Sequence, residues 1–161
     1  MDTGDARTGG QGARTGAPVA DRTPGAARSR TMQLVRASWD RLAERQEPVV
    51  EGFYARLFEL DPDLASLFAA TDMDPMRAKF ADTIRMLLTA LDDGTALLPL
   101  ARRSGERHAV YGVRDRDYRT GGEALLWALA RELGDDFTPE VRAAWAEAYT
   151  RLADAMARAA R

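Results

Sequence analysis

The sequence contains no cysteine, a single histidine (His108) and a single lysine (Lys79). The first absence excludes disulfides, thiolate nucleophiles and thiolate-held metals together. With one histidine, a divalent metal site built from several imidazoles is excluded as well. No long hydrophobic run occurs either. Stretches such as Ala96-Leu97-Leu98-Pro99-Leu100-Ala101 fall far short of the roughly 20 apolar residues that span a bilayer. The N-terminus has no apolar signal core, so a soluble, cytoplasmic protein without a membrane span is expected. Charge of one sign is scarce too: 25 acidic against 23 basic residues leave a net charge of -2. The arginines are spread among acids, with no clustered basic face of the kind nucleic acid requires. There is no Gly-rich loop after a strand, so phosphate-cradle motifs are missing. What remains is a chain of 161 residues, suited to one domain with a real core.

Residues 1–30 are rich in Gly, Thr, Ala, Arg and Asp and hold almost no large apolar side chain. Such a segment buries too little surface to offset its chain entropy, and reads as a disordered tail ahead of a domain at 31–161. From Thr31 the apolar period becomes helical. Thr31 reads as the cap of a helix bearing Leu34, Val35, Trp39 and Leu42, and Pro48 as the start of one bearing Val50, Phe53, Tyr54, Leu57 and Phe58. Asp61-Pro62 opens a short piece ending at Leu67-Phe68. Asp74 and Pro75 open a long helix whose inner stripe is Met76, Phe80, Ile84, Leu87, Leu88 and Leu91, stopped by Asp92-Asp93-Gly94. The next helix runs from about Thr95 to His108, with a bend or split expected at Pro99. After a turn at Gly112, a helix through Leu125, Leu126, Leu129 and Leu133 stops at Gly134. Thr138-Pro139-Glu140 opens the last helix, carrying Val141, Trp145, Tyr149, Leu152 and Met156. No strand alternation appears, so the fold class is all-α, with about seven or eight helices.

His108 then has three readings. It is a helix-end residue whose cation favours the C-terminal dipole, a core imidazole bonded to a carbonyl, or the axial ligand of a haem iron. A haem needs an apolar slot between helices. Met76, Phe80 and Ile84, with Phe53, Tyr54 and Phe68, could line one, yet each equally suits an ordinary core.

An ordered set of pieces narrows the choice. Trp39 is followed by "FYARLFELDPDLASLF" from Phe53, "TDMDPMRAKF" from Thr71, "RHAVYGVRDRDY" from Arg107 and "GEALLWALARELGDDFTPEVRAAWAEAY" from Gly122. From Met32 to about Ala160 the chain resembles the bacterial single-domain globins, which are similar to the globin domain of flavohaemoglobins. The resemblance implies a three-over-three helical sandwich holding haem b. His108 would be the proximal ligand and metal-binding residue, Phe68 the ring packed on the haem face, and Tyr54 the distal hydrogen-bond donor to a diatomic gas (O2, NO or CO). Met76, Phe80 and Gly121 would shape the distal pocket, with Val113 and Tyr118 completing the cofactor contacts.

Departures from the family pattern qualify what is carried over. Met76 stands where relatives usually have glutamine or histidine; its thioether donates no hydrogen bond, but is a second candidate iron ligand. Phe80 replaces a usual leucine and Gly121 a usual valine or isoleucine, which suggests that one offsets the other in volume. Ser104 replaces a leucine one turn before His108, where its hydroxyl is a candidate to orient the imidazole. The glutamate that relatives place on the last helix, beside the tyrosine matched by Tyr118, is replaced by Ala160. A less basic proximal imidazole favours reversible ligand binding. The resemblance thus implies a gas-binding globin, monomeric or homodimeric. Its rivals are a nitric oxide dioxygenase or peroxidase served by a separate reductase, a haem-based gas or redox sensor, and a haem-free helical module working through partner contacts.

Overall fold

Proline placement determines where many of the helices begin. The computed structural model describes residues 24–93 and 97–159. Among these it has seven α-helices: α1 Pro24–Asp40, α2 Gln46–Leu60, α3 Pro62–Leu67, α4 Met73–Asp93, α5 Leu97–Val110, α6 Asp115–Leu133 and α7 Pro139–Ala159. A single 3-10 turn, Gly134–Asp136, joins α6 to α7. Pro48, Pro62, Pro75 and Pro139 all fall in the first turn of a helix. There the backbone N–H has no intrahelical acceptor, so its loss costs nothing. Residues 97–110 form one helix through Pro99, without the expected split.

Polar caps act where the sequence places them, with small shifts. The Asp61 carboxylate accepts from the Asp63 amide at 3.1 Å, and Thr138 Oγ1 accepts from Val141 at 3.3 Å. Asp74 is not the cap of α4: Asp72 accepts from the Asp74 amide at 3.2 Å, and the helix starts at Met73. Nor does Thr31 cap α1, since residues 24–30 before it are already helical. Thr31 Oγ1 instead donates to Glu147 of α7 at 2.9 Å. Gly112 and Gly134 take positive φ, 83° and 56°, which lets the chain turn after α5 and α6. Residues 1–23, the Leu91 side chain and the expected boundary at Gly94-Thr95 lie outside the described residues.

The helices form a three-over-three sandwich. In it α2 runs against α6, α5 and α1 both pack on α7, and α4 touches α2, α1 and α5. The core is continuous from Val35, Trp39 and Leu42 through Val49, Val50 and Leu57 to Leu125, Leu129 and Trp145. Trp39 and Trp145 meet with ring centroids 6.0 Å apart, and Trp145 Nε1 donates to the buried Ser38 Oγ at 2.9 Å. That bond satisfies the indole N–H and Ser38 together, as buried polar groups require. Among the described residues no helix is long and apolar enough to cross a membrane.

Candidate functional site

Tyr54 is carried into the interior by the apolar stripe of α2. Its residue is only 6% exposed. Phe53 and Phe68 meet its ring edge-on at centroid distances of 5.0 and 5.7 Å, and Phe80 of α4 does so at 5.8 Å. Phe58 packs 6.1 Å away and joins Phe68 at 5.4 Å. Rings thus flank the phenol on several sides, and among the described residues no hydrogen bond holds its hydroxyl. Burial pushes the Tyr54 pKa up to about 12, with the nearby Arg77 guanidinium working in the opposite direction. The group thus stays protonated, a donor, at any physiological pH.

Arg77 escapes sequence reasoning. Its Nη1 lies 3.2 Å from Asp74 and 3.9 Å from Glu51, tying α4 to α2 one turn from Tyr54, and its Nε is buried without a partner. Met76, its neighbour, is half-buried and packs against the core. Phe53 was legible as core but not as the ring that stacks on Phe80, at 4.5 Å and 14° between planes.

His108 ends the inner face of α5. Its Nδ1 lies 2.7 Å from the Ser104 carbonyl oxygen. A carbonyl only accepts, so Nδ1 carries the proton and Nε2 keeps a free lone pair. The Ser104 main chain thus does what was expected of its hydroxyl. Burial lowers the pKa of His108 below its ordinary value of 6.5; the bond to Ser104 opposes this and the Arg107 charge adds to it. Val113, half-buried, donates its backbone N–H to the His108 carbonyl oxygen at 3.0 Å. The Tyr118 ring lies 5.9 Å from the imidazole, tilted by 52°. The Tyr118 hydroxyl is buried and has no partner among the described residues, and burial raises its pKa. Ala160, the position expected to lack a carboxylate, lies outside the described residues.

Gly121 does not face Phe80. A Cβ there would stand 2.6 Å from the Tyr149 hydroxyl of α7, and one on Gly122 would stand 2.8 and 2.9 Å from the Tyr149 ring. The small residue makes room for Tyr149, whose hydroxyl donates to the Tyr118 carbonyl at 2.7 Å. The expected exchange of volume with Phe80 thus has no contact behind it: a Cβ at Gly121 would meet Tyr149, and Phe80 stacks on Phe53. The ring atoms facing Gly122 cannot move aside as a chain end would. Gly122→Ala is accordingly expected to cost about 1–3 kcal/mol of stability, read from urea unfolding.

The structure thus brings Tyr54, Phe68 and Phe80 into one aromatic cluster. It gathers His108, Val113, Tyr118 and, through Tyr149, Gly121 into a second group. A lone imidazole with a bare nitrogen is the donor set of a metal whose other ligands come from a macrocycle, and among the described residues no His/Cys/Asp/Glu group could hold a metal by itself. The residues present fit a haem.

A family profile described as Globin matches residues 51–156. The chain is 33% identical over 126 residues to a flavohemoprotein of Halalkalibacterium halodurans, covering 77% of this chain and 31% of that protein. A neuroglobin of Tetraodon nigroviridis is 30% identical over 143 residues, covering 81% of this chain and 90% of the relative. The chain spans about a third of the flavohemoproteins it matches. Its fold is also similar to the crystal structure of a hexacoordinated heme protein from an anhydrobiotic tardigrade, with TM-score 0.72 and 17% identity over 81% of this chain and 93% of that one. The helical sandwich and these matches together place the chain in the globin family.

Proposed function

We propose that this globin binds one haem b and reversibly binds dioxygen, with NO and CO as further ligands. The observation that carries the reading is the His108 tautomer: Nδ1 donates to the Ser104 carbonyl at 2.7 Å and leaves Nε2 bare. Relatives named flavohemoprotein and neuroglobin support it. When bound, haem would supply an iron able to take a protein imidazole and a diatomic gas. His108 holds that iron, Phe68 packs on the haem face, and Val113 and Tyr118 line the side of His108. Phe80 and Met76 keep water from the gas side, and Tyr54 donates the hydrogen bond that retains the ligand. The acceptor behind His108 is a neutral carbonyl rather than a carboxylate, so the imidazole gains no anionic character. That would suit reversible gas binding, with Met76 not serving as an iron ligand at rest. Met76→Leu is then expected to leave the resting spectrum unchanged.

A second reading is a nitric oxide dioxygenase working with a separate reductase, favoured by the flavohemoprotein likeness. The two are separated by titrating the purified protein with haem and following the Soret band, then measuring oxygen binding and NO consumption. A one-to-one endpoint with reversible oxygenation supports the first reading. Sustained NO turnover with an added reductase would replace it with the second, and no Soret band at all would leave a haem-free module.

Acid tests the His108 assignment. The folded pKa lies below 6.5, so the native imidazole stays neutral where an unfolded one begins to charge. Stability from this group is fully present above that value and is lost as pH falls through the folded pKa; iron on Nε2 would hold the proton off further. The Soret band is expected to persist at pH 6.5 and to collapse on further acidification, at a midpoint under 6.5.

A further inference from the structure

Gly105 lies in the middle of α5, three residues before His108, and is buried. A glycine inside a helix costs about 1 kcal/mol relative to alanine, so its presence there asks for a reason. A Cβ built on Gly105 would collide with the Met156 carbonyl oxygen of α7, and would stand 2.9 Å from its carbonyl carbon and 3.0 Å from its Cα. All three are main-chain atoms, and no side-chain rotation relieves the overlap. The two helices therefore touch backbone to backbone at this point. Ala101, one turn earlier on the same side of α5, is 1% exposed. The peptide unit that joins Ser104 to Gly105 is also the one whose oxygen accepts from His108 Nδ1 at 2.7 Å.

We propose that Gly105 is a positioning residue: by seating α5 on the α7 backbone at Met156, it sets the place of the Ser104 carbonyl and of His108, and so the strength of the proximal ligand. The role rests on the haem reading above and goes beyond it, because it ties the ligand's geometry to the last turns of α7. Adding one methyl group at Gly105 must part α5 from α7 there, and a shift of α5 carries the imidazole and its acceptor with it.

Resonance Raman spectra of the ferrous, gas-free haem protein read the iron–imidazole stretch directly. Gly105→Ala is expected to shift that band and to speed haem transfer to an acceptor apoprotein about tenfold, or about 1.4 kcal/mol. Ala101→Ser, a smaller intrusion on the same face, is expected to shift the band in the same direction by less; it keeps the test open if Gly105→Ala does not fold. In a His108→Gly background filled with free imidazole, the ligand is not tethered to α5. There Gly105→Ala is expected to leave the band where His108→Gly alone puts it. A band unmoved in both Gly105→Ala and Ala101→Ser overturns the proposal, whatever happens to Tm. So does an equal shift in the imidazole-filled background. Failure of the haem reading looks different: wild type then shows no Soret band, His108→Gly matches it, and the positioning role falls with the haem.

Discussion

His108→Ala is expected to abolish stable haem ligation, weakening haem retention by more than about 100-fold. Removing a partner behind a ligand already costs metal sites about 10- to 100-fold, and here the ligand itself goes. The chain has no cysteine and no second histidine to replace it, and the Met76 thioether is a weaker ligand than imidazole. The helix itself should survive the change. His108 sits near the end of α5, its ring bonds only to the Ser104 carbonyl of its own helix, and its loss empties no part of the main core. Helical circular dichroism close to wild type, together with a lost or displaced Soret band, is the expected pair of results. If His108→Ala bound haem with the wild-type spectrum, the ligand assignment would fail, and Met76 would be the next residue to change.

Much of the architecture could be read in advance because its signals are local. Asp61-Pro62, Thr138-Pro139 and the glycines at 112 and 134 each govern their own boundary through φ, a missing N–H or a capping oxygen. The start of α1 was hidden because residues 25 and 27–30 are exposed, so no apolar period marks them. Thr31 also looks like a cap only while its distant partner Glu147 is unknown. The residues around Tyr54 and His108 were recoverable from family likeness, but their partners were not. Ser104 holds the imidazole through a main-chain oxygen, which every residue type possesses. Gly121 was assigned to the wrong neighbour because the side chain that needs its space, Tyr149, comes from another helix. Gly105 left a faint trace, a helix-breaking residue in a helical run. Only the nearness of Met156 explains it.

Tyr54→Phe is expected to speed dioxygen release about tenfold or more while leaving the fold intact. The variant isolates one atom, because phenylalanine keeps the edge contacts with Phe53, Phe68 and Phe80. The tyrosine hydroxyl has no partner among the described residues, so its removal leaves no protein group newly orphaned. Burial holds its pKa at about 12, so the donor proton is present throughout the accessible pH range. On the proposed reading, that donor serves the bound gas. A net hydrogen bond of about 1.5 kcal/mol, at the upper end of the usual range, corresponds to roughly tenfold in affinity. The loss should appear in the dissociation rate, since the bond forms only after the ligand has arrived. Carbon monoxide, a poorer hydrogen-bond acceptor, should be released at nearly the wild-type rate. Flash photolysis and stopped-flow displacement measure both gases on the same samples. Equal acceleration for the two gases would mean that Tyr54 acts by filling space. An unchanged dioxygen off-rate would remove its hydroxyl from the mechanism.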